Sequence, residues 1–302
     1  WKAYEVIIEM RKKLRENLIA YTFCAPAYIV FTVFLFIPIV WVVILSFKEF
    51  SIITFNSAEF VGLKNYTKLL KDQVFLRSIL NTLYFTILYV PGNTILGLIF
   101  ALLLNKPFKG RNFFRLALFI PNIISMVVVS IIWSLIFSSS TTGIANKLLV
   151  TLHLKPIEWL SDYRYALIAV GIVLIWSGFG YRMLIFLAGL QNIPDELYEA
   201  AALDGASKWQ ITFKITLPLL RPTTFFVITT SLISSFQVFT PIYIMTGGGP
   251  GYSTTTIVNY LYTKGFSEFQ MGYASAISVI LLIIIMVLTF IQRKIGREDL
   301  IF

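Results

Sequence analysis

The sequence predicts an all-α polytopic membrane protein with six transmembrane helices. Of its 302 residues, 57% are hydrophobic and 13% are charged, about half the charged share of soluble domains. The apolar residues gather in six stretches, each with the roughly 20 residues that a helix needs to cross a bilayer. Five of them contain no Asp, Glu, Lys, Arg or His, and the fourth contains Arg182. Buried helices of soluble proteins rarely run so long without a polar face, so we interpret all six as membrane spans.

The spans follow one another along the chain with polar connections between them. The first is too long, and too poor in small-residue cleavage sites, to be a removed signal peptide. Pro26 and Pro38 lie inside it, and we expect them to kink the helix. The approximate limits of the six spans are 18–47, 80–104, 116–137, 165–190, 223–245 and 273–291.

The basic residues favour an orientation with both termini in the cytoplasm. In that orientation 15 of the 25 lysines and arginines fall on inner segments and nine on outer segments. The predicted domains are then a cytoplasmic N-terminal segment (1–17), a six-helix transmembrane domain (18–292) and a cytoplasmic C-terminal tail (293–302). The net charge of +10 belongs to the flanks of the spans, where it attracts anionic membrane lipid. It does not form a water-facing basic surface, so we predict no nucleic-acid partner.

Residues that support catalysis or metal binding are scarce. A single cysteine, Cys24, excludes an intrachain disulfide, and a single histidine, His153, excludes a histidine-rich metal site. The phosphate-binding pattern of ATPases is absent, and we interpret the glycines of 247–251 as a turn on the outer face. We therefore predict no metal, cofactor or catalytic residue in this chain. Cys24 is expected to fill a packed interior and His153 to lie in a solvated loop.

The connection 191–218, between the fourth and fifth spans, predicts a short helix that stops at a bend. Pro194 suits a first helical turn, and Asp195 and Glu196 follow it where the helix dipole favours negative charge. Gly205 is a natural stop because glycine adopts the left-handed conformation found after helix ends.

A second short helix is predicted after the bend. Ser207 followed by Gln210 matches a capping box, and Trp209 and Phe213 share one helix face. Pro218 would interrupt this helix near the membrane. These residues leave two alternatives open: an amphipathic hairpin that rests on the lipid surface or packs on its own helices, or a docking surface for a partner protein.

This loop resembles the EAA signature of permease subunits from binding-protein-dependent ABC importers. The matching residues, in the spacing of the signature, are Glu199, Ala200, Ala201, Gly205, Ile215, Leu217 and Pro218. The chain is also similar to the carbohydrate-uptake branch, which is related to the maltose and glycerol-3-phosphate permeases. The segments that carry this wider likeness are 60–66, 81–82, 186–194 and 246–250. The resemblance covers roughly residues 18 to 297.

The resemblance implies a type I ABC importer permease with a MetI-like bundle in a prokaryotic cytoplasmic membrane. It implies four partners: a second homologous permease, two cytoplasmic ATPase subunits that bind ATP and magnesium, and an extracytoplasmic solute-binding protein. The solute would be a sugar, an oligosaccharide or a sugar-like molecule, including an anionic one. In the family the loop is a coupling helix that enters a cleft of the ATPase. The predicted coupling residues here are Glu199, Ala200, Ala201 and Gly205, which match signature positions, and Asp204 and Ser207, which agree with the same geometry.

Polar and aromatic side chains within the spans are candidates for the solute path. Aromatic rings stack on sugars, but polar residues in spans also hold helices together. An arginine near the bilayer centre costs at least about 2.5–3.5 kcal/mol, so Arg182 should face protein or a water-filled cavity unless it snorkels to an interface. Related permeases often have asparagine here, and Arg182 on the path would favour an acidic or phosphorylated solute. The candidates are Trp176, Tyr181, Arg182, Ser235, Gln237 and Tyr243.

A secondary transporter is the alternative from a different class. Such a protein would need inverted repeats and intramembrane carboxylates for ion coupling. All 15 acidic residues lie outside the six apolar stretches. A lipid-modifying enzyme would need clustered histidine or carboxylate residues at an interface, and no such cluster is evident in the sequence. The sequence therefore favours an importer permease whose ATP is hydrolysed by other subunits.

Overall fold

The computed structural model describes residues 2–51, 53, 58–139 and 143–297. The first span begins in α1 (Lys2–Phe31), passes through a π-helical turn at Thr32–Phe36 and continues as α2 (Ile37–Ser46). Pro38 follows the π-helical turn, which changes the hydrogen-bond pattern where proline has no N–H to donate. Pro26 lies within α1.

The first connection carries a small antiparallel sheet and a short helix. Strand β1 (Lys48–Glu49) pairs with β2 (Glu59–Phe60), and α3 (Lys64–Lys71) follows them. The second span is α4 (Gln73–Asn105), which begins after Asp72. The Asp72 carboxylate accepts hydrogen bonds from two backbone N–H groups of the first turn, which have no acceptor within the helix.

The third predicted span consists of two helices. α5 (Arg111–Ile123) and α6 (Met126–Ile136) meet at 96°, so the prediction of one continuous helix over 116–137 was wrong. Ile124, between them, has extended backbone. Pro121 lies in the last turn of α5, where it removes a helical hydrogen bond and so weakens the helix just before this turn.

The fourth span and the two short helices after it agree with the sequence prediction. α7 (Ile144–Thr151) precedes the fourth span, α8 (Ala166–Gln191). The elements that follow are α9 (Asp195–Leu203), α10 (Lys208–Ile211), a π-helical turn (Thr212–Thr216) and α11 (Leu217–Leu219). We call residues 195–216 the hairpin.

The fifth predicted span is also divided. α12 (Arg221–Phe236) ends before Gln237, its C-cap residue, and a separate helix, α13 (Thr240–Met245), begins three residues after Gln237. The prediction of one helix over 223–245 was therefore wrong. Pro241 opens α13, and proline biases the residue before it away from helical backbone.

The chain ends with α14 (Ile257–Tyr262), a π-helical turn (Thr263–Ser267) and the sixth span, α15 (Met271–Arg297). Residues 298–302 of the predicted tail lie outside the described residues. Four described helical stretches are long and apolar enough to cross a membrane alone, and the number rises to six when each of two bent helix pairs counts as one span. The all-α membrane fold is thus confirmed.

The bundle is centred on α4 and α8. An added Cβ at Gly97 of α4 would come within 2.9 Å of the Arg182 Cβ on α8. An added Cβ at Gly180 of α8 would overlap the Leu118 carbonyl oxygen of α5. Small residues let membrane helices approach closely, so α8 is packed on two sides and forms the most buried span.

The first span stands apart from this centre. Its most apolar window is only 6% buried inside the chain, and its contact with the bundle is made by α2, which packs on α15. Cys24 on α1 is exposed, so the prediction that it fills a packed interior was wrong. The burial of a residue depends on what its helix faces, which the helix sequence does not show. His153 is exposed in a loop, as predicted.

Candidate functional site

The first helix of the hairpin ends in a Schellman motif at Gly205. Gly205 has a φ of +73°, a left-handed conformation that other residues seldom adopt. Its N–H donates to the Ala202 carbonyl at 3.1 Å, and the Ala206 N–H donates to the Ala201 carbonyl at 2.9 Å. These bonds satisfy carbonyls that the helix end leaves free. The predicted stop at Gly205 is confirmed.

The two ends of the hairpin differ slightly from the prediction. Pro194 precedes α9 with extended backbone and is not part of its first turn, which holds Asp195 and Glu196 as expected. At the other end the helix breaks at Leu220, two residues after Pro218, and α12 leaves at an angle of 65°. The position of a break is set by how the helix packs as well as by the proline.

The second helix of the hairpin begins at a reciprocal cap. The Gln210 N–H donates to Ser207 Oγ, and the Ser207 N–H donates to Gln210 Oε1. These bonds occupy two N–H groups that the helix cannot satisfy, so the predicted capping box is confirmed. The bend between α9 and α10 is thus fixed by Gly205 on one side and by Ser207 on the other.

The hairpin presents apolar side chains to its surroundings. Leu203 is 90% exposed, Trp209 is 74% exposed and Phe213 is 58% exposed. The Trp209 and Phe213 rings stack with their centroids 5.5 Å apart, as their helical spacing predicts. We call these three residues the apolar tip. An exposed apolar patch with polar neighbours is typical of a protein-binding surface.

The hairpin is also held against the bundle. The Thr216 hydroxyl donates to the Tyr198 hydroxyl at 3.4 Å, and Tyr198 packs on the buried cluster at the adjoining ends of α4 and α8. Of the predicted coupling residues Ala201 is buried, which lets α9 lie close to its neighbours. The others are exposed: Glu199, Ala200, Asp204, Gly205 and Ser207.

A pocket opens where α12 breaks before α13. Its volume is 180 Å³, and its walls come from α4, α6, α8 and the break itself. Gln237 lies at the break and is exposed. A mostly apolar pocket with a few polar groups is typical of a small-molecule site. The lining residues are Phe85, Tyr89, Met126, Leu174, Ser234, Gln237, Val238, Phe239, Thr240 and Pro241.

Four aromatic rings continue from the pocket as one cluster. Phe239, which lines the pocket, stacks on Tyr243 with centroids 5.3 Å apart and contacts Tyr262 at 4.9 Å. Tyr243 meets Tyr262 edge-on at 5.2 Å, and Phe266 stacks on Tyr262 at 5.3 Å. Tyr243 and Phe266 are exposed. We call these residues the aromatic cluster, and its open faces are available to stack on a solute.

Arg182 lies inside the bundle and is 6% exposed. Its guanidinium donates to Ser231 Oγ at 3.3 Å, and to the Gly178 carbonyl and the Tyr89 hydroxyl at 3.4 Å. The expectation that it faces protein is therefore confirmed. Tyr89, which accepts this bond from Arg182, is also one of the residues that line the pocket.

The remaining path candidates lie in different surroundings. Ser235 is fully buried, and its hydroxyl shares a hydrogen bond of 2.9 Å with Thr86, which joins α12 to α4. Trp176 meets Trp133 edge-on with centroids 5.4 Å apart. Tyr181 stands beside Arg182, whose guanidinium carbon is 5.5 Å from the ring centroid.

The structure thus brings Gln237 and Tyr243 to the pocket and the aromatic cluster. Sequence reasoning missed Phe239 and Tyr262, which connect the two. Both occur among other apolar residues, so nothing in their spacing marks them. The signal that could have located the region is Pro241, because it indicates the helix break that exposes Gln237.

At the end of α4 far from the hairpin, Asp72 connects three helices. The hydroxyls of Tyr260 and Tyr273 donate to its carboxylate at 2.5 and 2.6 Å. Burial opposes ionisation of Asp72, but these bonds and two backbone N–H donors outweigh it and hold its pKa below the ordinary value. Burial, and then the bond to Asp72, raise the pKa of Tyr260. The charged carboxylate therefore ties α4 to α14 and α15.

The glycine-rich segment 247–251 is a turn, as predicted. Gly248 has a φ of +91°, and the hydroxyls of Thr254 and Thr255 donate to carbonyls of the segment. The N–H groups of Gly247, Gly248 and Gly249 donate to oxygens of Ile242 and Thr246, so they already have acceptors within the protein. In the described part of the chain, no three histidine, cysteine, aspartate or glutamate residues are grouped to hold a metal ion.

Residues 93–298 match the family model described as the binding-protein-dependent transport system inner membrane component. The matched region covers more than half of the chain and includes the hairpin, Arg182 and most of the pocket. The chain belongs to this family. It is therefore a multi-pass membrane permease of an ABC importer, and not a secondary transporter or an enzyme.

Individual relatives agree with the family. The permease is 40% identical over 282 residues to the arabinooligosaccharides transport system permease protein AraP of Bacillus subtilis, covering 91% of this chain and 88% of AraP. It is 37% identical to the probable ABC transporter permease protein YurN of the same organism, covering 94% and 99% of the two chains. A solved structure of a bacterial ABC transporter that imports the acidic polysaccharide alginate matches with a TM-score of 0.84 at 25% identity. That match covers 96% of the permease and 99% of the solved chain.

Proposed function

We propose that the permease carries a sugar or oligosaccharide across the membrane and that its hairpin couples this movement to ATP hydrolysis in partner subunits. The apolar tip carries the proposal. Leu203, Trp209 and Phe213 project from a bend that Gly205 and Ser207 fix in place. A fixed bend bearing large apolar side chains suits insertion into a cleft of another protein, where buried aromatic anchors supply most of the binding energy.

The hairpin is suited to passing movement into the bundle because both of its ends continue into spans. Three residues separate the end of α8 from the start of α9, and α11 leads into α12. In the proposed assembly, two ATPase subunits hold the hairpins of this permease and of a second, homologous permease. Closure of the ATPase pair draws the hairpins together, and an external solute-binding protein delivers the solute to the other side.

A double variant, Trp209→Ala with Phe213→Ala, tests the docking role. The two rings are exposed and contact each other, so their loss should leave expression and thermal stability unchanged. Co-purification of the ATPase and solute uptake should each fall at least about tenfold. Phe113→Ala, which removes another exposed ring, is the matched control. Normal ATPase recovery and uptake by the double variant would refute the proposal.

The proposed orientation places the hairpin, residues 1–17 and residues 293–302 in the cytoplasm, with residues 18–292 forming the transmembrane domain. It is tested by labelling single cysteines in a cysteine-free background with a membrane-impermeant maleimide. Lys155→Cys should react in intact cells. Glu196→Cys should react only after the membrane is opened. The reverse pattern would contradict this orientation.

The solute class is supported by the pocket and by the names of the relatives. AraP is named for arabinooligosaccharides, and the solved transporter imports alginate. Here Gln237 and Ser234 offer hydrogen-bonding groups beside the aromatic cluster. Sugar rings have apolar faces and hydroxyl-bearing edges, which these two kinds of group complement.

The solute class is tested with the complete transporter in proteoliposomes. A panel of oligosaccharides, amino acids and short peptides is added with the solute-binding protein, and ATP hydrolysis is measured. We expect saccharides to stimulate hydrolysis and the other compounds to leave it at the basal rate. Stimulation by amino acids or peptides alone would contradict the assignment.

A further inference from the structure

Arg182 is a buried cation without a carboxylate partner among the residues that the structure describes. Its three acceptors, on Ser231, Gly178 and Tyr89, are all neutral, and the distances of 3.3–3.4 Å are long for hydrogen bonds. All 15 acidic residues of the chain lie outside the apolar stretches. A buried charge without a counterion is costly to keep, so its retention calls for a functional reason.

Tyr89 connects this charge to the pocket. Its hydroxyl accepts a hydrogen bond from Arg182 Nη2, and its own proton has no acceptor among the described residues. Tyr89 is also one of the residues that line the pocket, together with Gln237 and Phe239. A hydroxyl that accepts from a cation becomes a stronger donor, because hydrogen bonds in a chain polarise one another. The charge of Arg182 can therefore strengthen a hydrogen bond from the Tyr89 hydroxyl to a solute, without movement of either side chain.

The surroundings of Arg182 contain further unused hydrogen-bonding capacity. Asn93 Oδ1 is buried and has no partner, while the Asn93 amide donates to the Tyr89 carbonyl at 3.3 Å. An added Cβ at Gly178 would come within 2.7 Å of Asn93 Oδ1 and 3.3 Å of the Tyr89 hydroxyl. These polar atoms therefore border one small space, one helical turn before Arg182. A purely structural polar cluster is expected to be fully hydrogen-bonded, and this one is not.

We propose that Arg182, acting through Tyr89, makes the pocket selective for a solute with an anionic group such as a carboxylate. Tyr89 donates its free proton to the anionic group. Arg182 is the positioning residue that holds the Tyr89 hydroxyl and supplies the positive charge. This inference rests on the proposed solute path and adds the charge of the solute to it.

Direct binding to the whole transporter complex in lipid nanodiscs tests the inference without the solute-binding protein. D-glucuronate and D-glucose differ in whether the terminal carbon is a carboxylate or an alcohol. The wild type should bind glucuronate at least about tenfold more tightly than glucose. Arg182→Asn and Tyr89→Phe should each remove this preference, so that glucuronate and glucose bind the variant with similar affinity.

Two control variants separate charge from structure. Arg182→Lys keeps the positive charge and should keep part of the preference. Arg164→Asn removes an exposed arginine that pairs with Asp162 at 2.7 Å and should change neither affinity. Thermal stability is measured for every variant, and Tyr89→Phe decides the outcome if Arg182→Asn does not fold.

A second ligand pair, acetate and acetamide, separates this inference from the saccharide assignment. Preference for acetate without binding of glucuronate would contradict the saccharide assignment alone. Absence of any preference for the anion in both pairs would overturn the inference. So would a preference that survives in every folded variant lacking Arg182 or the Tyr89 hydroxyl.

Discussion

Ser207 and Gln210 cap each other, with the Ser207 N–H 2.7 Å from Gln210 Oε1 and the Gln210 N–H 3.3 Å from Ser207 Oγ. This box lies two residues after the left-handed Gly205, so backbone bonds to carbonyls hold one side of the bend and side-chain bonds hold the other. Both interactions are local and exposed. Each can therefore be removed without disturbing the bundle.

Ser207→Ala should weaken coupling. Losing the cap costs the exposed, four-residue α10 about 1 kcal/mol, so this helix frays and the apolar tip loses its fixed position. We expect the stimulation of ATP hydrolysis by the loaded binding protein to fall several-fold in proteoliposomes, with assembly retained. Ser207→Asp keeps a capping oxygen and should behave like the wild type. Full stimulation in Ser207→Ala would show that the cap is dispensable.

Gly205→Val should reduce uptake because valine does not readily adopt the left-handed backbone conformation of this position. A Cβ at Gly205 meets nothing within 4 Å, so space is not limiting. Left-handed backbone costs an ordinary residue about 1–2 kcal/mol, and more when the side chain is β-branched. Gly205→Asn is the control because asparagine tolerates this conformation. Equal uptake and equal ATPase recovery for the two variants would contradict a requirement for positive φ.

Gly180→Ala should destabilise the complex more than Gly92→Ala. The new Cβ at Gly180 would overlap a backbone carbonyl of α5, which cannot move without shifting that helix. The Cβ at Gly92 would meet Ile175 Cδ1, the flexible end of a side chain. Overpacking costs typically about 1–3 kcal/mol. Unfolding temperatures of the purified complex in detergent measure the difference, and equal temperatures would contradict it.

Asp72→Asn should make the unfolding temperature of the protein fall less steeply as the pH is lowered into the acid range. The pKa of Asp72 in the fold lies below its ordinary value of 3.8, so the folded state binds fewer protons than the unfolded state around that pH. Its contribution is therefore present above that value and is lost as the pH falls through the folded pKa. Unfolding temperatures between about pH 3 and pH 7 measure this. Asp162→Asn, which alters an exposed ion pair, should change this acid dependence of the unfolding temperature less. A larger change in Asp162→Asn than in Asp72→Asn would reverse this ranking.

The geometry of the hairpin could be predicted from sequence because its signals are local. Gly205, Ser207 and Gln210 act within four residues of their partners, and the spacing of Trp209 and Phe213 fixes their shared face. The exposure of Leu203 could not be predicted in this way. It depends on the direction in which the whole hairpin leaves the bundle.

The helix breaks at Ile124 and Gln237 escaped prediction for a different reason. An apolar stretch has the same hydropathy whether its helix is straight or broken, and membrane helices tolerate proline such as Pro121. The exposure of Cys24 and the neutral partners of Arg182 depend on contacts between helices that are distant in sequence. Such contacts leave no local pattern.

The bond between Arg182 and Ser231 joins α8 to α12, the two helices that the hairpin connects at its own end. Arg182 lies nine residues before the end of α8, roughly 14 Å along the helix axis. The hairpin therefore connects α8 and α12 at one end, and this hydrogen bond connects the same two helices farther into the bundle. A change in the angle between α8 and α12 at the hairpin must lengthen or shorten the hydrogen bond between Arg182 and Ser231. Under the proposed mechanism, a bound anion and a docked ATPase then act on the same angle, so each changes the affinity for the other by an equal factor.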